Sequence, residues 1–274
     1  MDNRCNICIE ESCGGTKDCN CKECKKRECC NKVLHPTIRI TTKCTQSCQH
    51  CCFSCSPKKS DMINIKTAKD IAMFMKNNNI KSANIMGGEF FMNPDWYIIL
   101  TILVKDLDVV RLVSNGDWAE NEEETNKLLL FLEINKNVMI SISKDVWHNN
   151  INVDKAEKIC LENDILFNVA KEDQMVDDSI VPMGKGQFHY GFYSSFGCYC
   201  QNPAHKYSFL IDEIGEIYKC SFGVWNYDNI KAFINGGFDE RFKYFNKVFY
   251  SCFLGNCSVC LRGYARQTEK EKSK

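Results

Sequence analysis

Cys44-Thr-Gln-Ser-Cys48-Gln-His-Cys51 decides how the rest of this chain is read. It sets three thiols at C-x3-C-x2-C spacing directly after the alternating run Thr37-Ile-Arg-Ile-Thr41. Cys44, Cys48 and Cys51 on one short loop can wrap three irons of a cubane [4Fe–4S] cluster and leave the fourth without a protein ligand. An open iron is a reaction site, able to hold a small molecule and pass it an electron. The chain has 20 Cys in 274 residues, so this spacing would arise by chance with a probability of roughly one in ten. The motif therefore needs a second signal.

That signal is Ala83-Asn-Ile-Met86-Gly87-Gly88-Glu89, an apolar run ending in two glycines and a carboxylate. Glycines at a strand end allow close backbone approach to a ligand. A carboxylate there can bind an ammonium group through a charge-assisted hydrogen bond. The two motifs together resemble the radical S-adenosylmethionine (SAM) superfamily. In that family the CxxxCxxC loop follows the first barrel strand, and GGE ends the second and receives the methionine amino group. The resemblance implies that SAM chelates the open iron and is cleaved reductively to a 5′-deoxyadenosyl radical.

Other residues extend the resemblance. His50 stands before the third cysteine, where the family carries an aromatic or His near the adenine. Ser114-Asn115-Gly116 resembles the SNG or TNG found at the third strand end. Ser141 and Ser143 fall where relatives bind the SAM ribose with a Ser and an Asp, although Ser143 stands in place of the Asp. Alternating serines are also what a solvated sheet face looks like.

From 33 to 190 short apolar runs alternate with helical periodicity, the pattern of βα units and a parallel sheet. Strands are expected at Ile38–Thr41, Ala83–Met86, Val109–Ser114, Val138–Ser143, Ile165–Ala170 and Ile180–Met183. Helices are expected at Lys66–Asn79, after Asn93-Pro94, at Asn121–Ile134 and at Asp154–Asn163. The fold class is α/β, a partial (β/α)6 TIM-like barrel with its chemistry at the strand C-terminal ends.

Beyond 190, Tyr207–Ile211 and Glu216–Cys220 flank Asp212-Glu-Ile-Gly215 as a β-hairpin, and a helix is expected over about Asp228–Val248. Cys200, Gly215, Cys220 and the pair Cys257-x2-Cys260 resemble the opening of the SPASM extension and the shorter twitch extension of peptide maturases. The resemblance implies a 191–262 domain with one auxiliary [4Fe–4S] cluster on Cys200, Cys220, Cys257 and Cys260. Cys198 is an alternative to Cys200, and a zinc site on the same thiolates is the competing reading. Cys198 and Cys252 are candidates for a hydrogen-donor thiol. Residues 263–274 form a charged tail.

Residues 1–32 hold eight cysteines and almost nothing to build a core. Cys5-x2-Cys8 and Cys21-x2-Cys24 approach a zinc-ribbon arrangement, while Cys13, Cys19, Cys29 and Cys30 leave the pairing open. Zinc, a further iron–sulfur cluster or a metal-free tail all fit.

With 35 basic and 35 acidic residues, no global field points to nucleic acid or to an anionic membrane. Tyr97–Val104 is too short to cross a bilayer, and the polar N-terminus lacks a signal-peptide core. Thiols in this number without an export signal read as metal ligands, which predicts a cytoplasmic protein working without oxygen. Val181-Pro-Met-Gly-Lys-Gly186 resembles the P-x-G-R-G/A segment of peptide maturases. That implies a ribosomally made peptide as substrate, cross-linked, epimerised or oxidised, with a flavodoxin- or ferredoxin-type reductant. Dehydrogenation or cyclisation of a small molecule is the alternative. A zinc-binding or electron-transfer protein without SAM chemistry is the reading from another class, against which the Gly-Gly-Glu and the βα pattern argue.

Overall fold

The computed structural model describes residues 35–171, 208–218 and 226–229. The 1–32 cysteines, Ile180–Met183, Val181–Gly186, Cys198, Cys200, Cys220, Cys252, Cys257, Cys260 and the charged tail lie outside the described residues.

The chain runs β1 (His35–Arg39), α1 (Ile65–Asn77), β2 (Ser82–Met86), α2 (Trp96–Val104), β3 (Val109–Ser114), α3 (Glu122–Ile134), β4 (Val138–Lys144), α4 (Val153–Glu162) and β5 (Phe167–Lys171). Then come β6 (Ser208–Ile211), β7 (Glu216–Tyr218) and β8 (Asn226–Asn229). All belong to one sheet of order β5-β4-β3-β2-β1-β6-β7-β8. Strands β5 to β1 and β6 pair in parallel, and β7 and β8 add antiparallel. This is the expected mixed α/β fold with a mostly parallel sheet.

Side chains alternate across a strand, and the two faces of this sheet differ sharply. Ile38, Ala83, Ile85, Val110, Leu112, Val138, Ile140 and Ile142 join Ile71, Phe74, Ile99, Leu103, Leu128, Phe131 and Ala156 from the helices in one buried core. The other face carries Thr37, Arg39, Asn84, Arg111, Ser141, Ser143 and Asn168. Parallel sheets covered on both faces read as continuous apolar strands; here the other face is mixed, with Met86, Val113 and Met139 among the polar residues.

Capping follows sequence chemistry. The Asn64 and Asn121 side chains accept from Thr67 N at 2.8 Å and Glu124 N at 3.1 Å, closing the first turns of α1 and α3. Helix α2 starts two residues later than Pro94. Phe90–Met92 form a 3-10 turn, and Asn93 Oδ1 accepts from Asp95 N at 3.0 Å in an Asx turn that delays the helix.

The hairpin forms where expected, with Gly215 at φ 85 and Asp212 Oδ1 accepting from Ile214 N and Glu216 N. Its first arm lies parallel beside β1, Thr37 opposite Leu210, so it continues the main sheet. Of the helix expected over about Asp228–Val248 only Asp228 and Asn229 are described; they end β8 (Asn226–Asn229), with Asp228 opposite Ile217, and 230–248 lie outside the described residues. The free edge of β7 outweighs local helical preference there. No helix among the described residues is long and apolar enough to cross a membrane.

Candidate active site

The cysteine loop leaves β1 already locked to its neighbours. Thr42 N donates to Asp61 O at 2.9 Å, Cys44 N to Ser56 O at 3.2 Å and Ser56 N to Thr42 O at 3.3 Å. On its other side Gly88 N donates to Thr41 O at 2.8 Å and Glu89 N to Lys43 O at 2.9 Å. A Cβ on Gly87 would stand 2.5 Å from Thr41 O, and one on Gly88 would stand 1.9 Å from Lys43 O. The glycines are required because the cysteine loop itself passes at backbone contact.

Glu89 does not face an open cavity. It is fully buried, accepting at 2.8 Å from Ser114 Oγ and at 2.8 Å from Asn115 N. Burial pushes its carboxyl up to about 8, against the pull of those two donors. Glu89 therefore ties the end of β2 to the Ser114-Asn115-Gly116 turn. Gly116 sits at φ 85, the left-handed region glycine tolerates. Asn115 reaches back to the loop, its Nδ2 donating to Thr45 Oγ1 at 2.9 Å and standing 3.8 Å from Cys44 Sγ.

Donors collect on the cysteine sulfurs. Gln46 N donates to Cys44 Sγ at 3.4 Å, and Cys55 N to Cys51 Sγ at 3.3 Å. Burial pushes the thiols of Cys44 and Cys52 up to about 12 and also raises Cys55, whose largest push is its hydrogen bond to Cys51. Metal binding deprotonates such thiols outright. Three reduced cysteines on one loop, with N–H groups aimed at two sulfurs, suit thiolate ligation of a cluster.

Asp117, not singled out in the sequence, organises the loop. Its Oδ2 accepts from Thr45 Oγ1 at 2.5 Å and Gln46 Nε2 at 3.0 Å, and its Oδ1 from Asn152 Nδ2 at 3.1 Å. Gln46 also exchanges bonds with the Asn149 backbone at 2.8 and 3.1 Å.

His50 packs against Trp147 at 6.0 Å and edge-on to His148 at 4.9 Å between ring centroids. Asp145, directly after β4, fixes Oδ1 on the N–H groups of Trp147 and His148. Its Oδ2 meets His148 Nδ1 at 2.7 Å and stands 4.0 Å from His50 Nε2. Burial opposes the charge on His148, yet bonds to Asp145 and Cys48 raise its pKa to about 10. Ser143 stands where relatives carry an Asp, and a carboxylate, Asp145, follows two residues on, just past the strand end. Ser143 is half-buried near that end, whereas Ser141 is buried and accepts from Arg111 Nη2 at 2.9 Å.

Residues 38–156 match the family model described as the radical SAM superfamily. A Bacillus subtilis (strain 168) protein named for peptide biosynthesis, YydG, is 26% identical over 164 residues, which cover 56% of this chain and 51% of that protein. AlbA of Bacillus subtilis (strain 168), an antilisterial bacteriocin subtilosin biosynthesis protein, is 27% identical over 118 residues. Those residues cover 43% of this chain and 25% of AlbA. The chain thus spans about half the length of one curated relative and a quarter of the other. The crystal structure of BtrN in complex with AdoMet and 2-DOIA superposes with a TM-score of 0.56 at 11% identity, covering 83% of this chain and 91% of BtrN. The structure of anSMEcpe with bound AdoMet gives 0.54 at 16%, covering 79% and 82%. At these identities the likeness is one of fold.

Proposed function

We propose, from the match of residues 38–156 to the radical SAM superfamily model, that the chain is a radical SAM enzyme that abstracts hydrogen from a C–H bond of a ribosomally made peptide. The family implies a [4Fe–4S] cluster and SAM. Cys44, Cys48 and Cys51 would hold that cluster, which when bound would supply the electron that splits SAM into methionine and a 5′-deoxyadenosyl radical. The observation that carries this reading is the docking of the cysteine loop onto Gly88 and Asn115, which joins three strand ends around the thiols.

The protein's own groups have distinct tasks. Gln46 N and Cys55 N direct N–H dipoles at Cys44 and Cys51, which suits thiolate sulfurs bound to a metal. Gly87 and Gly88 leave the end of β2 bare, and Glu89 beneath them holds Ser114 and Asn115 in place. His50, Trp147 and His148 make an aromatic wall suited to a nucleobase. Ser143 near the end of β4 has a hydroxyl suited to a ribose hydroxyl, and Asp145 just past the strand holds the His148 ring in that wall.

Similarity to two peptide-biosynthesis proteins supports a peptide substrate. The proposal extends to an auxiliary [4Fe–4S] cluster on Cys200, Cys220, Cys257 and Cys260, a metal site within 1–32, a flavodoxin- or ferredoxin-type reductant and a cytoplasmic setting. Mass spectrometry of candidate precursor peptides co-expressed with the chain without oxygen tests the substrate class. A mass change that disappears with Cys44→Ala is expected; SAM cleavage that leaves every peptide unaltered contradicts it.

A further inference from the structure

The mixed face of the sheet carries a polar cluster that the cysteine loop does not use. Arg111 on β3, Ser141 on β4 and Asn168 on β5 all point away from the helix-covered face. Ser141 is the Cα partner of both Val113 and Asn168, and Arg111 lies two residues before Val113. The guanidinium reaches up to this row, Nη2 donating to Ser141 Oγ at 2.9 Å.

Two atoms of the cluster are left over. Arg111 Nε and Asn168 Oδ1 are both buried without a hydrogen-bond partner. Among the described residues no carboxylate stands within ion-pair distance of Arg111. A buried donor on a cation without an acceptor is costly, and native proteins seldom leave one without a reason. The pair has a definite complement. The Nε–Nη2 edge of a guanidinium takes a carboxylate side-on, and the amide oxygen of Asn168, on the other side of Ser141, takes an N–H.

We propose that Arg111, Ser141 and Asn168 form a recognition site for a carboxylate with a neighbouring N–H, as at the C-terminal residue of a peptide substrate. This rests on the peptide reading above and deepens it. The methionyl end of SAM has the same chemistry, but its expected place is at Gly87–Glu89 and Ser114–Asn115, at and past the strand ends. The backbone of Arg111 lies three residues short of Ser114, about 10 Å deeper along β3 at strand rise, and its guanidinium meets Ser141 at the level of Val113, one residue below Ser114.

The test uses the full chain, cluster-loaded and saturated with SAM under anaerobic conditions, titrated with N-acetylglycine, N-acetylglycinamide and acetate. The acid should bind more tightly than its amide. Arg111→Met should weaken N-acetylglycine about tenfold to a hundredfold, and Arg111→Lys, which keeps the charge but not the fork, should fall between. Should Arg111→Met fail to fold, Asn168→Leu serves instead: it should weaken N-acetylglycine, which has the N–H, and leave acetate unchanged. Equal affinity for acid and amide, or an Asn168→Leu effect equal on both acids, overturns the site. Displacement of SAM by N-acetylglycine assigns the site to SAM and overturns the substrate assignment. Because probe binding is read apart from SAM cleavage, loss of one does not imply loss of the other.

Discussion

A methyl group on Gly88 would lie 1.9 Å from the Lys43 carbonyl oxygen and 3.0 Å from Cys44 N. Both neighbours are backbone, pinned by Cys44 N–Ser56 O and Glu89 N–Lys43 O, so neither can yield cheaply. Gly88→Ala should push the cysteine loop off β2, costing about 1–3 kcal/mol or more as overpacking does. Iron analysis after reconstitution should show most of the loop-bound iron missing; full iron would refute the close-approach account. His148 offers a pH test. Its folded pKa is raised to about 10 from the ordinary 6.5, so the stabilisation from its charged form is complete below about 6.5. It declines as pH rises and is gone above about 10. Denaturation midpoints of His148→Gln should therefore lie furthest below the parent under mildly acidic conditions and converge with it above pH 10. The sequence made Gly87, Gly88, Ser114 and Asn115 legible because the motifs are local. It did not reveal where Glu89 points: the 3-10 turn at Phe90–Met92 starts directly after it, and its carboxylate folds under onto a residue 25 positions away. Asp145 lies one residue past β4, outside the strand alternation that marks Ser141 and Ser143.

At the scale of elements, the β6–β7 hairpin is fastened to β1 at its turn. Arg39 Nε donates to Glu213 Oε2 at 2.7 Å and Nη2 to Oε1 at 3.2 Å, with Asp212 at 3.9 Å. The guanidinium also lies over the Phe53 ring at 5.3 Å, which links the hairpin to the cysteine loop. Arg39→Met removes the guanidinium that both mostly buried Glu213 carboxylate oxygens accept from and should cost about 1–3 kcal/mol, less than for a fully buried pair because Arg39 keeps some solvent contact. Hydrogen exchange should report it: amides of Leu210, Ile211 and Ile217 should exchange faster while Val110 and Ile140 hold. Uniform acceleration across the sheet would mean that Arg39 supports the whole fold and not the hairpin. The hairpin itself was readable from Asp212–Gly215, a turn with its own chemistry. Its partner was not, because parallel pairing of Ser208–Ile211 with His35–Arg39 joins segments some 170 residues apart with no local signature. The same edge logic explains β8 at Asn226–Asn229.

For the whole molecule, the sheet brings three separate sequence motifs to one end, at the C-termini of β1, β2 and β3, and leaves a mixed face beneath them. Periodicity alone was enough to read that βα order, since each strand and helix carries its own repeat. The polar residues of that face were hidden within the same strands, where Arg111 and Ser141 look like ordinary solvated positions until the helices are seen to occupy only the opposite face. The central claim is that Cys44, Cys48 and Cys51 hold a cluster that cleaves SAM. Its most direct measurement is anaerobic reconstitution of the full chain with iron and sulfide, then incubation with SAM and dithionite and quantification of 5′-deoxyadenosine. The account predicts 5′-deoxyadenosine from the parent and none from Cys44→Ala, Cys48→Ala or Cys51→Ala, each of which leaves the cubane with two loop thiolates. Undiminished 5′-deoxyadenosine from any of the three variants, or none from iron-replete parent protein, would contradict it.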